Sequence, residues 1–206
     1  MNILIHPTYF PNIAHFAAML QGKEVVFEMH DNYQKQTYRN RTFIYGANGK
    51  LQLSVPVVYS QKERQKYQDI KIHNTEKWQS LHWKSLESAY RTSPYFEFYE
   101  YELQPLFSQK TEYLLDFNLK CFETILECLQ LDLNISETKE FQKEPTDITD
   151  FRYLVNSRKE PNFNLDTYTQ VFGEKHGFIG NLSILDLLFN EGTNALSYLE
   201  NQFKHL

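Results

Sequence analysis

The stretch NILIHPTYFPNIAHFAAMLQGKEVVFEMH (Asn2–His30) decides the fold. It begins with a short apolar run, residues 2–5, followed by residues 13–20, which are apolar enough to pack as a helix. Gly22 ends that helix, and EVVFEMH (Glu24–His30) reads as a second buried strand. Two strands joined through a helix favour a parallel pair. The opening therefore predicts a β-α-β unit in a protein of the α/β class.

A hairpin signal follows in TYRNRTFIYGANGKLQLSVPV (Thr37–Val57). Asn48-Gly49 suits a two-residue type I′ turn, which would pair Gly46 with Leu51 and Ile44 with Leu53. We expect this antiparallel hairpin to join the parallel opening in one mixed sheet. A short strand near DIKIH (Asp69–His73) is expected to rejoin the same sheet.

The middle of the chain reads as a helical insertion, about residues 75–131. Asn74 or Thr75 is expected to cap a helix from Glu76 to Arg91, whose first turn carries Glu76. Pro94 stops it, and YFEFYEYELQPLF predicts a second, aromatic helix. Apolar residues at helical spacing predict a long core helix over about residues 112–131.

The last third predicts a late strand in NISETKEF and then a polar, proline-punctuated segment, residues 143–166. That segment is expected to be an irregular excursion or lid, more mobile than the core. Ser183 and Asp186 have capping-box spacing before a helix that ends at Gly192, and a final helix follows over about residues 194–203. The whole chain, 1–206, is interpreted as a single domain.

Composition limits the classes of function. A formal net charge of −5 argues against nucleic-acid binding, which requires a basic field. No apolar run reaches the length of a membrane span, and the start lacks the pattern of a secretory signal. Cys121 and Cys128, two helical turns apart, are too distant for a disulfide and are interpreted as reduced thiols. A cytoplasmic protein is expected.

The sequence lacks common cofactor signatures, so no cofactor is indicated. It has no glycine-rich dinucleotide turn, no phosphate-binding loop ending in Gly-Lys-Ser/Thr and no nucleophile elbow. Its seven histidines do not occur in helical zinc spacing, and no metal site is predicted.

Three cations are the clearest candidates for binding an anion. Lys35, Arg39 and Arg41 are odd-numbered, so an extended strand would point all three to one face. The planar fork of arginine matches phosphate or carboxylate. A charged strand edge that prevents aggregation explains the same pattern.

Polar and aromatic residues at the first strand-helix junction form a second candidate group. His6 lies where a parallel sheet would bind ligands, at the carboxyl end of the first strand. Together with Tyr9 and His15 it is predicted to form the floor of a site that faces Arg39 and Arg41. His82 lies on an apolar helix face, where it is either a hydrogen-bonded core residue or a general base.

Four segments resemble the WbqC-like proteins of bacteria. They are TYFPNIAHFAAM, HDNYQKQTYRNRTFIYGANGKLQLSVPV, WQSLHWKSLESAYRTSPYFEFYEYEL and HGFIGNLSILDLLFNEG, in the expected order. The chain departs from the family pattern at His6-Pro7, where typical members read His-Gln-Pro. The pattern matches at candidate substrate-binding positions, namely Tyr9, Asn40, Arg41, Trp78 and Tyr90, and at His82. Thr8, Pro11 and His15 are also similar to the Thr-x-x-Pro turn of nucleotidyltransferases, although the His-x-Gly-His motif is missing.

The resemblance implies a cytoplasmic protein encoded with genes for surface-polysaccharide (O-antigen) synthesis. One hypothesis is a group transferase or ligase that acts on an activated, phosphorylated sugar or its acyl-carrier donor, with His6 or His82 as general base. The alternative is a non-catalytic binding or scaffold module of the polysaccharide machinery. The sequence leaves both open, and it indicates no oligomeric state.

Overall fold

The computed structural model describes residues 1–60, 63–75 and 77–206. Helices and strands follow in chain order as β1 (Asn2–Ile5), α1 (Ile13–Met19), β2 (Glu24–Phe27), β3 (Arg41–Gly46), β4 (Gly49–Ser54), β5 (Val57–Val58), β6 (Lys71–Ile72), α2 (Trp78–Tyr90), α3 (Phe96–Leu103), α4 (Leu114–Leu129), β7 (Ile135–Glu137), β8 (Thr149–Asp150), α5 (Gly173–His176), α6 (Ile184–Glu191) and α7 (Ala195–Glu200). Short 3-10 turns connect several of them. Within this described part, no helix combines the length and apolar character needed to cross a membrane.

The predicted β-α-β opening is confirmed. β1 and β2 pair in parallel, from Asn2 opposite Glu24 to Ile5 opposite Phe27. The late strand β7 adds in parallel to β2, and β8 adds in parallel to β1, which gives the order β7-β2-β1-β8. All four carboxyl ends therefore meet at one edge of the sheet.

One face of this sheet is buried by helices. Phe27 of β2 contacts Phe122 of α4 edge-on, with ring centroids 5.1 Å apart, and Phe16 of α1 stacks on the same ring at 5.8 Å. Every residue of α1 is buried, because all its side chains except His15 are apolar and pack on every side of the helix. Cys121 is buried in α4 and Cys128 is half-buried, and both are free thiols, as predicted.

The hairpin forms, but two expectations about it are wrong. It does not join the parallel sheet, since β3 and β4 make a two-stranded sheet of their own. In the parallel sheet, β7 pairs with β2 and β8 pairs with β1, so the hairpin pairs with neither of the two central strands. The carbonyl of Phe43 in β3 instead accepts the backbone N–H of Ser183 at 2.8 Å. Strand β6 pairs with β5 and, through a bridge between Lys71 and Tyr113, with the segment before α4, so it does not rejoin the parallel sheet.

The register of the hairpin also differs from the prediction. Gly46 lies opposite Gly49 and Ile44 opposite Leu51, a shift of two residues. Only Gly49 has a positive φ (101°) at this turn, whereas a type I′ turn needs positive φ at both central residues. Because the shift is by two, each side chain keeps its face, so Ile44 is still buried.

The helices begin later than the sequence pattern indicates. α2 begins at Trp78 and its N-cap, Lys77, makes no side-chain cap bond, so capping by Asn74 or Thr75 is wrong. Asn74 instead donates to the carbonyl of Thr111 at 2.8 Å. The proposed first-turn carboxylate, Glu76, lies outside the described residues.

α6 has half of the predicted capping box. The Ser183 hydroxyl accepts the N–H of Leu185 at 3.3 Å, as an N-cap should. Asp186 does not reach back to Ser183, because its carboxylate accepts hydrogen bonds from Tyr90 and Tyr168, both through their hydroxyls, and from the amide of Gln170. Asp186 therefore ties α6 to α2.

Residues 143–166 are not irregular throughout. They contribute β8 and a 3-10 turn, Arg152–Val155, and the Phe151 N–H donates to the carbonyl of Leu4. Glu160 further accepts hydrogen bonds from the side chains of Tyr38 and Asn181. That this excursion is more mobile than the core, or closes over a site, stays a prediction.

Candidate functional site

A polar cleft of about 480 Å³ lies at the carboxyl end of the parallel sheet. His6 follows the last residue of β1, and Asp150 is the last residue of β8. Open α/β sheets bind ligands in the crevice outside the carboxyl ends of their strands. The loops after β1 and β2 contribute His6, Asp31 and Arg39, and residues 150–159 contribute the opposite wall.

Asp31 is hydrogen-bonded to both His6 and Arg39, the two candidate residues that the sequence placed on opposite sides of the site. One of its oxygens, Oδ2, accepts Nε2–H of His6 at 3.0 Å and Nη2 of Arg39 at 2.6 Å. The other, Oδ1, accepts the backbone N–H of Asn32 at 2.7 Å. We name this hydrogen-bonded array of His6, Asp31 and Arg39 the His–Asp–Arg array.

Charge and burial set the protonation states of the array. Burial lowers the pKa of His6 to about 4, helped by the positive charge of Arg39 and opposed by the hydrogen bond to Asp31. Burial raises the pKa of Asp31, but the hydrogen bond from His6 and the charge of Arg39 outweigh it, and the net shift is downward. At neutral pH, Asp31 is therefore ionised and His6 is neutral.

A neutral His6 that donates from Nε2 must carry its lone pair on Nδ1. This Nδ1 atom is buried and has no hydrogen-bond partner among the described residues. The carboxylate that fixes the imidazole tautomer also stabilises the imidazolium that would form on protonation. A fixed tautomer and an ionised carboxylate partner are two features that a histidine general base requires.

Arg39 is completely buried, with more donors than partners. Its Nε and Nη1 atoms have no hydrogen-bond partner in the described part of the chain. The guanidinium lies 5.3 Å from the ring centroid of Tyr67, and the Asn118 amide donates to the Arg39 carbonyl. Burial lowers the pKa of Arg39, and the negative charge of Asp31 opposes that shift.

Arg152 closes the opposite wall of the cleft. Its Nε and Nη2 atoms donate side-on to the two oxygens of Asp150 at 2.9 and 2.7 Å. The Nη1 atom of Arg152 lies 3.3 Å from Oε2 of Glu28, whose carboxylate is fully buried. The hydrogen bond to Asp150 raises the pKa of Arg152. Arg152 is thus committed to holding β8 and the loop after β2 together.

Cations without carboxylate partners lie beside this wall. Lys159 lines the cleft, and neither it nor its neighbour Arg158 forms an ion pair within 4.0 Å among the residues described. Arg41, which does not line the cleft, also lacks such a partner in the described part of the chain, where its Nε atom is buried without a hydrogen bond. Burial and then repulsion from Arg158 lower the pKa of Arg41. This is a local excess of positive charge in a chain of net charge −5.

Lys35, Arg39 and Arg41 do not share one face of a strand, so that expectation is wrong. β3 begins only at Arg41, and the two other cations precede it in a loop. Lys35 is exposed, with its ammonium 4.8 Å from the ring centroid of Tyr59, whereas Arg39 is buried. Tertiary contacts with Asp31, rather than strand alternation, position Arg39.

Tyr9 and His82 lie together in the core instead of in the cleft. The Tyr9 hydroxyl is hydrogen-bonded to Nδ1 of His82 at 2.9 Å, and the Trp78 ring packs edge-on against the His82 ring at 5.2 Å. Burial lowers the pKa of His82 to about 4, opposed by a hydrogen bond with the Ser54 backbone. The cleft lining includes none of these three predicted site residues.

His15 lies near His6 but does not line the cleft. Its Nδ1 atom is 2.6 Å from Oδ1 of Asn12, and its Nε2 atom is buried without a partner among the described residues. Burial lowers the pKa of His15 to about 3, and its proximity to His6 adds to the shift.

Two further predicted site residues serve the fold in this structure. Asn40 donates to the carbonyl of Val55 at 3.0 Å, where β3 begins. Tyr90 accepts the backbone N–H of Tyr45 and donates to Asp186 at 2.7 Å. Neither lines the cleft.

Sequence reasoning missed Asp31, Asp150, Arg152 and Lys159 as site residues. Asp31 stands just after the second predicted strand, so the rule that placed His6 at the carboxyl end of the first strand also applies there. Asp150 and Arg152 carried no such signal, because β8 has only two residues.

The fold and the cleft define an α/β protein whose parallel sheet carries a charged cleft at its carboxyl end. A family model, the WbqC-like protein family, matches residues 6–160, and the chain belongs to that family. It is also similar to "Uncharacterized protein Rv1507c" of Mycobacterium tuberculosis, with 23% identity over 225 residues, 95% of this chain and 96% of the relative. No solved structure is significantly similar to the chain.

Proposed function

We propose that this chain is a cytoplasmic enzyme of bacterial surface-polysaccharide biosynthesis. It acts as a group transferase or ligase on an activated, phosphorylated sugar or its acyl-carrier donor. The observation that carries the catalytic part is the His–Asp–Arg array at the carboxyl end of the parallel sheet. The assignment to polysaccharide biosynthesis rests on the resemblance to the WbqC-like family.

His6 is the proposed general base. Its Nδ1 atom, which has no hydrogen-bond partner among the described residues, accepts the proton of a hydroxyl or amine nucleophile, while Asp31 holds the opposite side of the ring. The nucleophile forms a bond to the transferred carbon as the bond from that carbon to the leaving phosphate oxygen or thioester sulfur breaks. The leaving group departs with the electron pair.

The cations supply the proposed anion affinity. Lys159 and Arg158 have no carboxylate within 4.0 Å among the described residues, so their charge is available to a phosphate. Arg39 and Arg152 add positive charge inside the cleft, although each is paired with an aspartate. Stabilising a developing negative charge in such a site is commonly the largest contribution to catalysis.

The second candidate function is a non-catalytic binding or scaffold module. It is favoured by large apolar side chains exposed on α2 and α3, namely Leu81 (63%), Phe98 (67%) and Tyr101 (88%). Clustered exposed apolar groups are typical of interaction surfaces. A module of this kind would not need His6 for its activity.

Thermal-shift and calorimetric titrations test the proposal with four probes: pyrophosphate, glucose 1-phosphate, UDP-glucose and acetyl-CoA. We expect at least one to raise Tm, because a ligand that binds only the folded state stabilises it. Lys159→Gln should weaken that binding about tenfold, whereas Lys23→Gln, at the amino end of β2, should not change it.

His6→Gln separates catalysis from binding. Glutamine can keep a donor near Asp31 but cannot act as a base, so binding should persist while transfer to a hydroxyl or amine acceptor is lost. Transfer that continues undiminished in His6→Gln, or the absence of binding by every probe, would contradict the enzymatic proposal.

A further inference from the structure

Two exposed aromatic side chains lie in the same cleft as the His–Asp–Arg array. Phe141 is 42% exposed and Tyr153 is 49% exposed, and both line the cleft with Lys159. Single exposed apolar residues are ordinary on protein surfaces. Two aromatic rings on the walls of a charged cleft are more informative, because they add an apolar contact surface to an anion site.

Both rings are supported by neighbouring side chains. The guanidinium of Arg152 lies 5.3 Å from the Phe141 ring centroid, a cation–π distance. The Tyr153 ring lies 5.9 Å from the ring of Phe151, which is itself buried. Because each ring is braced by a neighbour, less conformational entropy is lost when a planar ligand stacks on it.

The loop that carries Arg158 and Lys159 is also held by hydrogen bonds. Oδ1 of Asn156 accepts the backbone N–H groups of Arg158 at 3.1 Å and of Lys159 at 3.2 Å. Gln34 lines the same cleft and brings an amide, a group that can read the edge of a nucleobase. The cleft therefore combines two aromatic rings, an amide and Lys159, a cation with no carboxylate within 4.0 Å among the described residues.

We infer that the substrate enters this cleft as a nucleoside diphosphate derivative, an inference that rests on the proposed function. The base stacks on Phe141 and Tyr153. The diphosphate is held by Lys159 and by the positive charge of Arg39 and Arg152. A simple sugar phosphate would need the cations but would leave both rings unused. Nucleotide sugars and coenzyme A thioesters both contain a nucleoside diphosphate, so this group is common to the sugar donor and the acyl donor.

Calorimetry with UDP, ADP and pyrophosphate tests the inference. Base stacking on an aromatic side chain predicts that Phe141→Leu and Tyr153→Leu each weaken UDP or ADP binding about tenfold to a hundredfold. Pyrophosphate has no base, so its affinity should change less than twofold. The controls are Phe98→Leu and Tyr101→Leu, more exposed aromatics of α3 outside the cleft, which should bind like the wild type.

The outcomes separate the inference from the proposed function. If pyrophosphate binds as tightly as both nucleotides and the cleft variants match the wild type, the nucleoside part is overturned and the anion site stands. If the α3 controls weaken nucleotide binding as much as the cleft variants do, the assignment of the nucleotide site to this cleft is overturned. If none of these probes nor the sugar phosphate binds, the proposed function itself fails.

Discussion

At the scale of single residues, one carboxylate organises the candidate site. Asp31 holds His6 in one tautomer and balances the charge of Arg39, which is fully buried. The sequence indicated His6 from its place after a strand and Arg39 from its basic neighbourhood. It did not indicate their shared partner, because the contact between residues 6 and 31 exists only after β1 and β2 pair.

The first prediction concerns Asp31→Asn. The change removes the negative charge beside Arg39, so a buried guanidinium is left without a charged partner. Breaking a buried ion pair from one side costs about 3–5 kcal/mol of unfolding free energy. Urea unfolding should show a loss of that order, whereas Asp116→Asn, on α4, should stay within about 0.5 kcal/mol of the wild type. An Asp31→Asn protein as stable as the wild type would contradict the structural role of the array.

The second prediction concerns Arg41→Lys. Glu28 and Asp31, the carboxylates that follow β2, are engaged by Arg152 and Arg39 and not by Arg41. The substitution keeps the charge but loses the planar fork, so it should weaken pyrophosphate or nucleotide binding with little change in Tm.

The control for this change is Arg91→Lys, whose arginine pairs with Glu87 and Glu100 on the surface. It should alter neither ligand affinity nor, by more than a degree or two, Tm. A lower Tm with unchanged ligand affinity in Arg41→Lys would show that Arg41 serves the fold.

At the scale of elements, local sequence patterns predicted the individual helices and strands better than they predicted which strands pair. β1, β2, β7 and the core helix α4 follow from apolar runs and helical spacing. The hairpin was found from Asn48-Gly49, yet its register was missed because the turn is centred on Ala47-Asn48. Its separation from the parallel sheet could not be read from the sequence, since edge pairing by β8 depends on contacts about 145 residues apart in the chain.

The third prediction concerns the end of α6. Gly192 has φ 53°, and an added Cβ would lie 2.4 Å from the Tyr95 ring. Gly192→Ala should therefore lower the unfolding free energy by about 1–3 kcal/mol, through backbone strain and the clash. Gly173→Ala, where the nearest atom is 3.9 Å from the added Cβ, should be neutral or stabilising. Equal stability of the two variants would contradict this role of Gly192.

At the scale of the whole molecule, the core is built around neutral histidines. Burial lowers the pKa of His6 and His82 to about 4 and that of His15 to about 3. The unfolded chain binds these protons near pH 6.5, so it binds more protons than the folded chain between about pH 4 and 6.5. Stability must therefore rise with pH through that window.

The fourth prediction follows from this linkage. Each of the three histidines should lower the unfolding free energy by about 2 kcal/mol between pH 7 and pH 5. The raised pKa of buried Asp186 offsets a part of this loss, and the lowered pKa of Asp31 acts only at more acidic pH. Urea midpoints should fall steeply over this range, and less steeply in His82→Gln than in the wild type. Identical stability at pH 5 and pH 7 would contradict the conclusion that these three buried histidines are neutral in the folded chain.

The central claim is that the cleft at the carboxyl end of the parallel sheet binds a phosphorylated ligand. Two-dimensional ¹H–¹⁵N NMR during a titration with UDP tests it most directly, because it reports where on the chain binding occurs. We expect saturating shifts in the backbone signals of Asp31, Arg152 and Lys159 and in the imidazole signals of His6. Shifts confined to Phe98 and Tyr101 of α3, or no saturating shift anywhere, would contradict it.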